Sequence, residues 1–394
     1  MPHATVTLKN KGLRRIEGGH PWVFASDLRA TPDTPDTPAI VRVLSPQGDA
    51  VGWGLFNPRS KLMLRLLTRS ATDTPPGAEF LVARVRAALA YRRRVVDEER
   101  YNAFRVIHSE ADGLPGLTVD RYDDILVVQQ HAAGLEPFLP AITDTLVAAY
   151  QPRGILARHD SPIRALEGLP QQINVLYGDV PDSVEYHEGD VRLVARPRQG
   201  QKTGAFLDQR ENHVYAGTIA SGAALDLFCY QGGFALQLAR HADTVLAVDT
   251  SSAALAELRA GALRNGTDNV VTEQGDVFAV LRQLVADRRR FATIVLDPPA
   301  FAKGRSQVAR AIAGYKEINL QALQLLEPGG RLLTASCSHH VADADFEQML
   351  TDAAADAGRT LRLSARRSQA ACHPEVLGMS ESHYLKLIAL EALD

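Results

Sequence analysis

A repeated pattern of strand, glycine-rich turn and helix begins near residue 186 and most restricts how this chain can fold. Short apolar runs predict five strands, each followed by a helical pattern. This alternation is typical of an open, mostly parallel sheet with helices on both faces. Ligands bind such sheets at the carboxyl ends of the strands, so we expect the functional residues there. The five runs are AALDLF (223–228), TVLAVD (244–249), NVVTEQ (269–274), ATIVLD (292–297) and GRLLTAS (330–336).

Two further segments precede this pattern. The first, residues 1–70, predicts a small β-rich unit from the strand-like runs 40–44, 50–56 and 61–68. Within it, TPDTPDTP (31–38) predicts a loop because its prolines remove backbone donors. The second segment, 75–181, alternates between helix and strand patterns and predicts an α/β unit. It opens with a helix over 80–96 whose predicted basic face includes Arg86, Arg92, Arg93 and Arg94. The expected domains are therefore 1–70, 75–181 and 186–394.

Composition limits the class of protein. With 394 residues, 45% apolar and 23% charged, the chain fits a soluble globular protein of two or three domains. It has neither an apolar run that could span a bilayer nor the apolar core of a signal peptide. Its three cysteines are too few and too far apart for a disulfide framework or a zinc site. We expect a cytoplasmic protein with reduced thiols, no metal and no membrane partner.

Charge is unevenly distributed along the chain. Residues 1–105 contain 17 Lys and Arg against 10 Asp and Glu, whereas the remainder contains 26 against 36. A basic end on an acidic body is compatible with a polyanionic partner, and equally with an uneven solvated surface.

Acidic residues and a glycine pair mark the ends of the first three strands of the repeat. Gly232 and Gly233 follow the first strand, where we expect the backbone to approach a ligand closely. Asp226 lies at the end of that strand, Asp249 ends the second and can accept hydrogen bonds from ribose hydroxyls, and Asp276 follows the third, near an expected adenine amino group. A dinucleotide enzyme would normally show the fuller G-x-G-x-x-G that seats a pyrophosphate, and that motif is absent. S-adenosylmethionine (SAM), a cationic ligand without phosphate, is the preferred cofactor over NAD.

The fourth and fifth strands end in residues suited to chemistry on a nucleobase. Asp297 is followed by two prolines, which predict a stiff turn that fixes a carboxylate and a carbonyl as acceptors for an exocyclic amino group. Phe301 could stack on the base. Cys337 follows the fifth strand, beside Asp297 across the expected sheet. Its thiolate could attack carbon 6 of a pyrimidine and make carbon 5 nucleophilic enough to accept a methyl group.

Other candidates carry less weight. Cys229 lies in the turn after the first strand, where packing against the cofactor explains it, and no role follows for Cys372. His339 and His340 could act as bases beside Cys337, although histidines at the start of a helix are more often structural.

Together these motifs resemble the ribosomal RNA large subunit methyltransferase I family, and the similarity runs the length of the chain. The segments that carry it are RRIEGGHPWVFASDL (14–28), EADGLPGLTVDRY (110–122), KTGAFLDQREN (202–212), LDLFCYQGGFA (225–235), VDTSSAAL (248–255), LDPPAFAK (296–303), GYKEIN (314–319), SCS (336–338) and YLK (384–386).

The resemblance implies an N-terminal PUA domain, a central α/β domain and a C-terminal class I methyltransferase domain of Rossmann-like fold. It implies methylation of cytosine carbon 5 in large-subunit ribosomal RNA or its assembly intermediate, with Cys337 as nucleophile and Asp297 orienting the base. It also leaves open a homodimer. The residues expected at the cofactor or closing over it are Phe206, Gln209, Arg210, Asp226, Tyr230, Gly232, Gly233, Asp249, Asp276 and Pro298.

Three readings remain open. Related proteins that methylate guanine nitrogen lack a cysteine after the fifth strand, so Cys337 favours cytosine over amino-group methylation of guanine or adenine. A larger group of RNA cytosine methyltransferases carries a second cysteine beside the fourth-strand proline. That position is taken here by the Asp-Pro-Pro turn, which leaves a water molecule or a neighbouring acid as the base for the carbon 5 proton. The third reading is a non-catalytic RNA-binding assembly factor.

Overall fold

The structure is a computed structural model that describes residues 3–29, 34–302 and 304–394. The chain divides into two compact units. The first unit consists of Met1–Tyr186, Val194–Leu207 and Ala371–Ser382. The second unit consists of His187–Leu193, Asp208–Ala370 and His383–Asp394. The predicted three-domain division stays a prediction, and each unit is described by itself below.

The N-terminal part of the first unit is a six-stranded sheet in the order β2-β6-β5-β4-β1-β3. Apolar side chains from these strands and from one helix form its core, including Val6, Ile16, Val41 and Phe56. The elements are β1 (Thr5–Leu8), α1 (Asn10–Glu17), β2 (Trp22–Val23), β3 (Leu28–Arg29), β4 (Ala39–Leu44), β5 (Ala50–Phe56) and β6 (Leu64–Thr68).

The rest of the first unit contains a five-stranded sheet in the order β11-β10-β9-β8-β7. Its strands pair antiparallel except β9 and β10, which are parallel. The elements are α2 (Ala78–Val95), β7 (Ala103–His108), β8 (Leu117–Tyr122), β9 (Ile125–Gln130), α3 (Leu139–Tyr150), β10 (Gly154–His159), α4 (Pro162–Leu166) and β11 (Gln172–Gly178). A separate two-stranded sheet follows, formed by β12 (Val184–Glu188) and β13 (Val191–Ala195).

The second unit contains a seven-stranded sheet in the order β16-β15-β14-β17-β18-β20-β19. The first five strands in that order are parallel, and β20 runs antiparallel to both of its neighbours. The elements are α5 (Arg210–Ile219), β14 (Ala223–Leu227), α6 (Gly233–Leu238), β15 (Thr244–Asp249), α7 (Ser252–Arg264), β16 (Val270–Gln274), α8 (Val277–Ala286), β17 (Phe291–Leu296), α9 (Val308–Leu325), β18 (Leu326–Ser336), α10 (Asp343–Ala357), β19 (Leu361–Arg367) and β20 (Lys386–Ala392).

The direction of strand addition reverses between β14 and β17. The chain first moves outward from β14 through β15 to β16, and then continues on the other side with β17 and β18. Because parallel crossovers are right-handed, this reversal places the connecting helices on opposite faces and leaves a crevice at the carboxyl ends of β14 and β17. Asp226 and Asp297 belong to these two ends.

The five strands predicted from the apolar runs are all present. Each apolar run coincides with a strand of the seven-stranded sheet, from β14 to β18, within a few residues at either end. In the first unit, the runs at 40–44 and 50–56 correspond to β4 and β5, and the run at 61–68 forms a strand only from Leu64 onward. The predicted loop at 31–38 is irregular over 34–38, and its first three residues lie outside the described part.

The predicted basic face of α2 needs one correction. Arg92, which the sequence placed on this face, is fully buried. Its guanidinium donates to the carbonyl oxygens of Arg105 and Cys372, both at 3.0 Å, and to Asp112 Oδ1 at 2.5 Å. Burial of this arginine is tolerated because each of its three guanidinium nitrogens donates to an acceptor.

Among the described residues, no helix combines the length and apolar character needed to cross a membrane.

Candidate active site

The turn after β14 is held in an uncommon backbone conformation. Phe228, Tyr230 and Gly232 all have positive φ, at 63°, 49° and 89°. The turn is fastened to β15, because the Cys229 N–H donates to the Val248 carbonyl at 3.0 Å and the Tyr230 N–H donates to Asp249 Oδ2 at 2.9 Å. Non-glycine residues adopt this conformation at a cost, and such turns gather at ligand sites.

The glycine pair in this turn has a packing reason in the protein itself. A Cβ atom at Gly232 would lie 2.1 Å from Leu258 Cδ1, and one at Gly233 would lie 2.4 Å from the His213 ring. His213 is in turn fixed by Glu188, whose carboxylate lies 2.7 Å from Nδ1. Helix α7 and the His213 side chain therefore already exclude larger residues here. The sequence predicted close approach of a ligand at these glycines, and that contact stays a prediction.

Asp226 is a fully buried carboxyl in β14. Neither of its oxygens has a hydrogen-bond partner of normal geometry in the described residues. Its pKa is raised well above the usual value, mainly by burial and then by the charges of Asp297 and Asp249, while the Ala235 backbone N–H acts in the opposite sense. A buried carboxylate in these surroundings is suited to a cationic ligand that supplies the missing donors.

Asp249 and Asp276 are held by backbone amides. The Asp249 oxygens accept from the N–H groups of Tyr230 and Ser251 at 2.9 and 2.8 Å. Asp276 is the N-cap of α8 and accepts from the Ala279 N–H at 3.0 Å. The helix-capping role therefore applies to Asp276, and its contact with adenine stays a prediction.

Asp297 follows β17 and is oriented by a glutamine from the start of α5. Gln209 Nε2 donates to Asp297 Oδ1 at 2.9 Å, and Gln209 Oε1 accepts from Asn212 Nδ2 at 2.7 Å. Asn212 Oδ1 accepts from Arg367 at 2.8 Å, which extends the chain of hydrogen bonds to β19. Gln209, predicted at the cofactor, thus has a direct structural role in aiming the carboxylate.

Two other residues of the segment before β14 have different surroundings. Arg210 is fully buried and donates to Glu211 Oε1 at 3.0 Å. Phe206 belongs to the first unit, where the Lys202 ammonium lies 4.4 Å from its ring centroid. Their predicted contact with the cofactor remains untested.

Cys337 is the first residue after β18, at the carboxyl end of the sheet. Its Sγ lies 3.8 Å from the carbonyl oxygen of Pro298, so the thiol adjoins the Asp-Pro-Pro turn as the sequence predicted. Phe301, from the same turn, packs on Tyr315 with ring centroids 4.6 Å apart, within an aromatic cluster that includes Phe228. Stacking of Phe301 on a base stays a prediction.

The serines on either side of Cys337 are buried and joined through one tyrosine. The Tyr315 hydroxyl lies 2.9 Å from Ser338 Oγ and accepts from Ser336 Oγ at 3.0 Å. Ser338 Oγ also accepts from the Ala302 N–H at 3.2 Å. This network ties α9, the end of β18 and the Asp-Pro-Pro turn together and fixes the backbone on both sides of the thiol.

Tyr315, Ser336, Ser338 and Lys386 lie in the motifs GYKEIN, SCS and YLK, and the sequence alone predicted no role for them. Lys386 is buried on β20, opposite Ser336, and its Nζ donates to the carbonyl oxygens of Ser338 and Tyr384 at 3.5 and 3.4 Å. The motifs marked these residues in the sequence. Their roles depend on the antiparallel pairing of β18 with β20, which brings YLK beside SCS and which the sequence did not predict.

The remaining cysteines and histidines lie in other environments. Cys229 is buried, and burial strongly raises the pKa of its thiol. Cys372 is buried in the first unit, 3.3 Å from His373 Nδ1. The rings of His339 and His340 lie 5.0 Å apart, and a role as bases remains untested. Cys337 is the cysteine with partial exposure.

Comparison with known proteins agrees with this architecture. Residues 6–69 match the model of a PUA-like domain, and residues 220–381 match that of a methyltransferase domain. A SAM-dependent methyltransferase structure from Streptococcus mutans superposes with a TM-score of 0.81, at 18% identity, over 98% of this chain and 99% of its own. A methyltransferase complexed with SAH superposes with a TM-score of 0.82, at 18% identity, over 99% of this chain and 100% of its own. The predicted fold class is confirmed.

Sequence relatives show the family. Ribosomal RNA large subunit methyltransferase I from Shewanella frigidimarina is 36% identical over 97% of each chain. The protein of the same name from Alteromonas mediterranea is 37% identical over 98% of this chain and 97% of its own. The methyltransferase domain and this family confirm the predicted cofactor, SAM. The chain belongs to the ribosomal RNA large subunit methyltransferase I family.

Proposed function

We propose that this chain transfers a methyl group from SAM to carbon 5 of a cytosine in large-subunit ribosomal RNA, with Cys337 as the covalent nucleophile. One observation carries the proposal: a partly exposed cysteine lies at the carboxyl end of β18, with Sγ 3.8 Å from the carbonyl oxygen of Pro298 in the Asp-Pro-Pro turn. The names of the curated relatives support ribosomal RNA as the substrate.

The residues around the β14 turn fit SAM. SAM supplies a methyl group on a cationic sulfur, which makes that group an electrophile. Asp226, buried without a hydrogen-bond partner of normal geometry among the described residues, would hold the amino group of the cofactor. Asp249, whose orientation is fixed by two backbone amides, would accept from the ribose hydroxyls. The other cofactor residues predicted from the sequence that belong to the second unit are part of the same proposal: Gln209, Arg210, Tyr230, Gly232, Gly233, Asp276 and Pro298.

The chemistry requires a covalent step because carbon 5 of cytosine is a poor nucleophile. The Cys337 thiolate forms a bond to carbon 6, and the electron density passed to carbon 5 would allow carbon 5 to take the methyl group, while the electron pair of the broken methyl–sulfur bond would stay on the cofactor sulfur as a neutral thioether. Loss of the carbon 5 proton to a base then restores the double bond as the sulfur–carbon 6 bond breaks. Asp297, aimed by Gln209, would accept a hydrogen bond from the exocyclic amino group of the base.

RNA recognition is proposed for the PUA-like domain and its basic surroundings. Residues 6–69 match a PUA-like domain, and the excess of Lys and Arg falls within residues 1–105. Contacts with phosphates should make binding weaken steeply as salt rises, because counterions are released on association. The target cytosine must also leave its stack to reach a thiol at the end of a strand.

The direct test is incubation of the protein with labelled SAM and unmodified large-subunit ribosomal RNA, followed by mass spectrometry of the nucleosides. We expect 5-methylcytidine from the wild-type protein and essentially none from Cys337→Ala. Cys372→Ala is the matched control, since Cys372 is buried in the first unit. Methylated guanosine or adenosine, with activity kept in Cys337→Ala, would favour amino-group methylation. No methylated product on RNA or on subunits would favour a binding factor.

A further inference from the structure

Lys386 is a buried cation at the candidate active site that the mechanism above does not use. Its exposed fraction is 3%, and its Nζ donates to two main-chain carbonyls at 3.4 and 3.5 Å, distances at the long end of hydrogen bonding. In the described part of the chain it forms no ion pair with a carboxylate. A lysine buried with so few partners is costly to keep, which points to a role for its charge.

The position of Lys386 relative to Cys337 is set by strand pairing. Lys386 begins β20 and lies opposite Ser336, the residue before Cys337. One of its two acceptors is the carbonyl of Ser338, the residue after Cys337. The ammonium is therefore held against the three-residue segment that presents the thiol.

The ionisable groups around this segment come from several elements. Burial lowers the pKa of Lys386, while the charges of Asp343 and Cys337 act to raise it. Asp343, at the start of α10, is itself engaged by His383 Nε2 at 3.1 Å. From α9, Tyr315 has a pKa raised chiefly by burial, with Cys337 among the smaller causes. Asp297, on the adjoining turn, is bound by Gln209.

We infer that Lys386 is a positioning residue that holds Cys337 as the thiolate needed for attack on the pyrimidine, an inference that rests on the proposed function. The thiol proton leaves to solvent, and the ammonium keeps its own protons and stays positively charged. The attraction is mutual: the Cys337 thiolate stabilises the charged form of Lys386, and the Lys386 ammonium stabilises the thiolate by the same amount. Because Lys386 is buried, its charge lowers the pKa of a neighbouring thiol more than a solvent-exposed cation would.

The test is the rate at which iodoacetamide alkylates Cys337, followed by mass spectrometry across a pH series in the full-length protein without RNA. Cys229 and Cys372 are buried and serve as internal references. In Lys386→Met we expect the pH midpoint of alkylation to rise by about 1 unit, so that the rate at pH 7 falls about 10-fold. Lys386→Arg keeps the charge and should retain a midpoint near that of the wild type.

Methyl transfer supplies a second readout. The activity of Lys386→Met at neutral pH should fall and recover partly as the pH rises, whereas a purely structural loss would not be restored by alkali. An unchanged alkylation midpoint in a folded Lys386→Met would overturn the inference. If that variant does not fold, a wild-type midpoint at the ordinary thiol value of about 8.5 would overturn it instead. A shifted midpoint without any 5-methylcytidine would overturn the proposed function and leave the thiolate assignment in place.

Discussion

Carboxylates at the ends of neighbouring strands differ in what surrounds them. Asp249 has both oxygens satisfied by backbone N–H groups, whereas Asp226 is buried with a raised pKa and no hydrogen-bond partner of normal geometry in the described residues. The sequence predicted the positions of both from the strand ends. It could not predict the difference, because burial and hydrogen bonding depend on the packed neighbours.

Replacement of Asp226 by asparagine should separate stability from cofactor binding. The pKa of Asp226 is raised in the folded protein, so folding favours the protonated carboxyl. The stability of the wild-type protein therefore falls as the pH rises through that folded-state pKa. At pH 8 the Asp226→Asn variant should therefore melt about 2–4 °C higher than the wild type, as expected for about 1 kcal/mol. The difference should shrink as the pH is lowered.

The same variant should lose most of the thermal stabilisation that SAM gives the wild type, because the carboxylate proposed to hold the cofactor amino group is gone. Asp243→Asn, at an exposed position before β15, is the control and should behave like the wild type in both measurements. Unchanged stabilisation by SAM in Asp226→Asn would remove Asp226 from the cofactor site.

At the scale of elements, local patterns predicted the five parallel strands of the second unit and strands β4 and β5 of the first, but not which distant strands pair. The runs from β14 to β18 are apolar and lie between turns and helical patterns, so each is visible in a short window of sequence. On its other side from β17, strand β18 pairs antiparallel with β20, which lies some fifty residues further along and places Lys386 opposite Ser336. A local pattern does not show which distant strand will pair with β18, so the position of Lys386 beside Cys337 was not predicted.

The glycine turn provides a test of packing at this scale. Gly232 has φ of 89°, and a Cβ there would lie 2.1 Å from Leu258 Cδ1. We expect Gly232→Ala to lower the free energy of unfolding by about 1–3 kcal/mol through backbone strain and overpacking. Leu258→Ala removes the clash, so the double variant should lose less than the sum of the two single losses in urea denaturation. Strict additivity would show that the backbone alone requires glycine.

The hydroxyl of Tyr315 joins α9 to the segment that contains Cys337. In Tyr315→Phe the hydroxyls of Ser336 and Ser338 lose a shared partner, and we expect a loss of about 1–2 kcal/mol in the free energy of unfolding. Tyr215→Phe, on α5, is the control, because the Tyr215 hydroxyl makes no hydrogen bond within the residues that the structure describes. Equal stability of the two variants would mean that the serine network does not fix the segment.

At the scale of the whole molecule, the compact units do not follow the order of the sequence. Residues Ala371–Ser382 belong to the first unit, although they lie between β19 and β20 of the second. The buried Arg92 guanidinium explains part of this, since it donates to the Cys372 carbonyl. The sequence placed Arg92 on a basic helix face together with Arg86, Arg93 and Arg94. A contact between residues 280 positions apart has no local signal.

The first unit also contains a buried ionic cluster that should govern its stability. Glu167 accepts from Arg65 Nη2 at 3.1 Å, from Ser60 Oγ at 2.6 Å and from Asn57 Nδ2 at 2.8 Å. Arg65 also lies 3.4 Å from Glu110, which accepts from Trp22 Nε1 at 2.8 Å. The cluster thus joins the N-terminal six-stranded sheet to the segments at 110 and 167.

Glu167→Gln should lower the free energy of unfolding of the first unit by about 2–4 kcal/mol. The amide removes the negative charge that pairs with Arg65, and its NH2 group would face the N–H and O–H donors of Arg65, Ser60 and Asn57. Both tryptophans of the chain, Trp22 and Trp53, lie in this unit, so tryptophan fluorescence during urea denaturation reports on it selectively. Glu98→Gln breaks a more exposed pair with Arg121 in the same unit and should cost less than about 1 kcal/mol. Equal losses in the two variants would mean that burial adds nothing to the Glu167 cluster, and that the sheet is held to the rest of the unit by apolar packing alone.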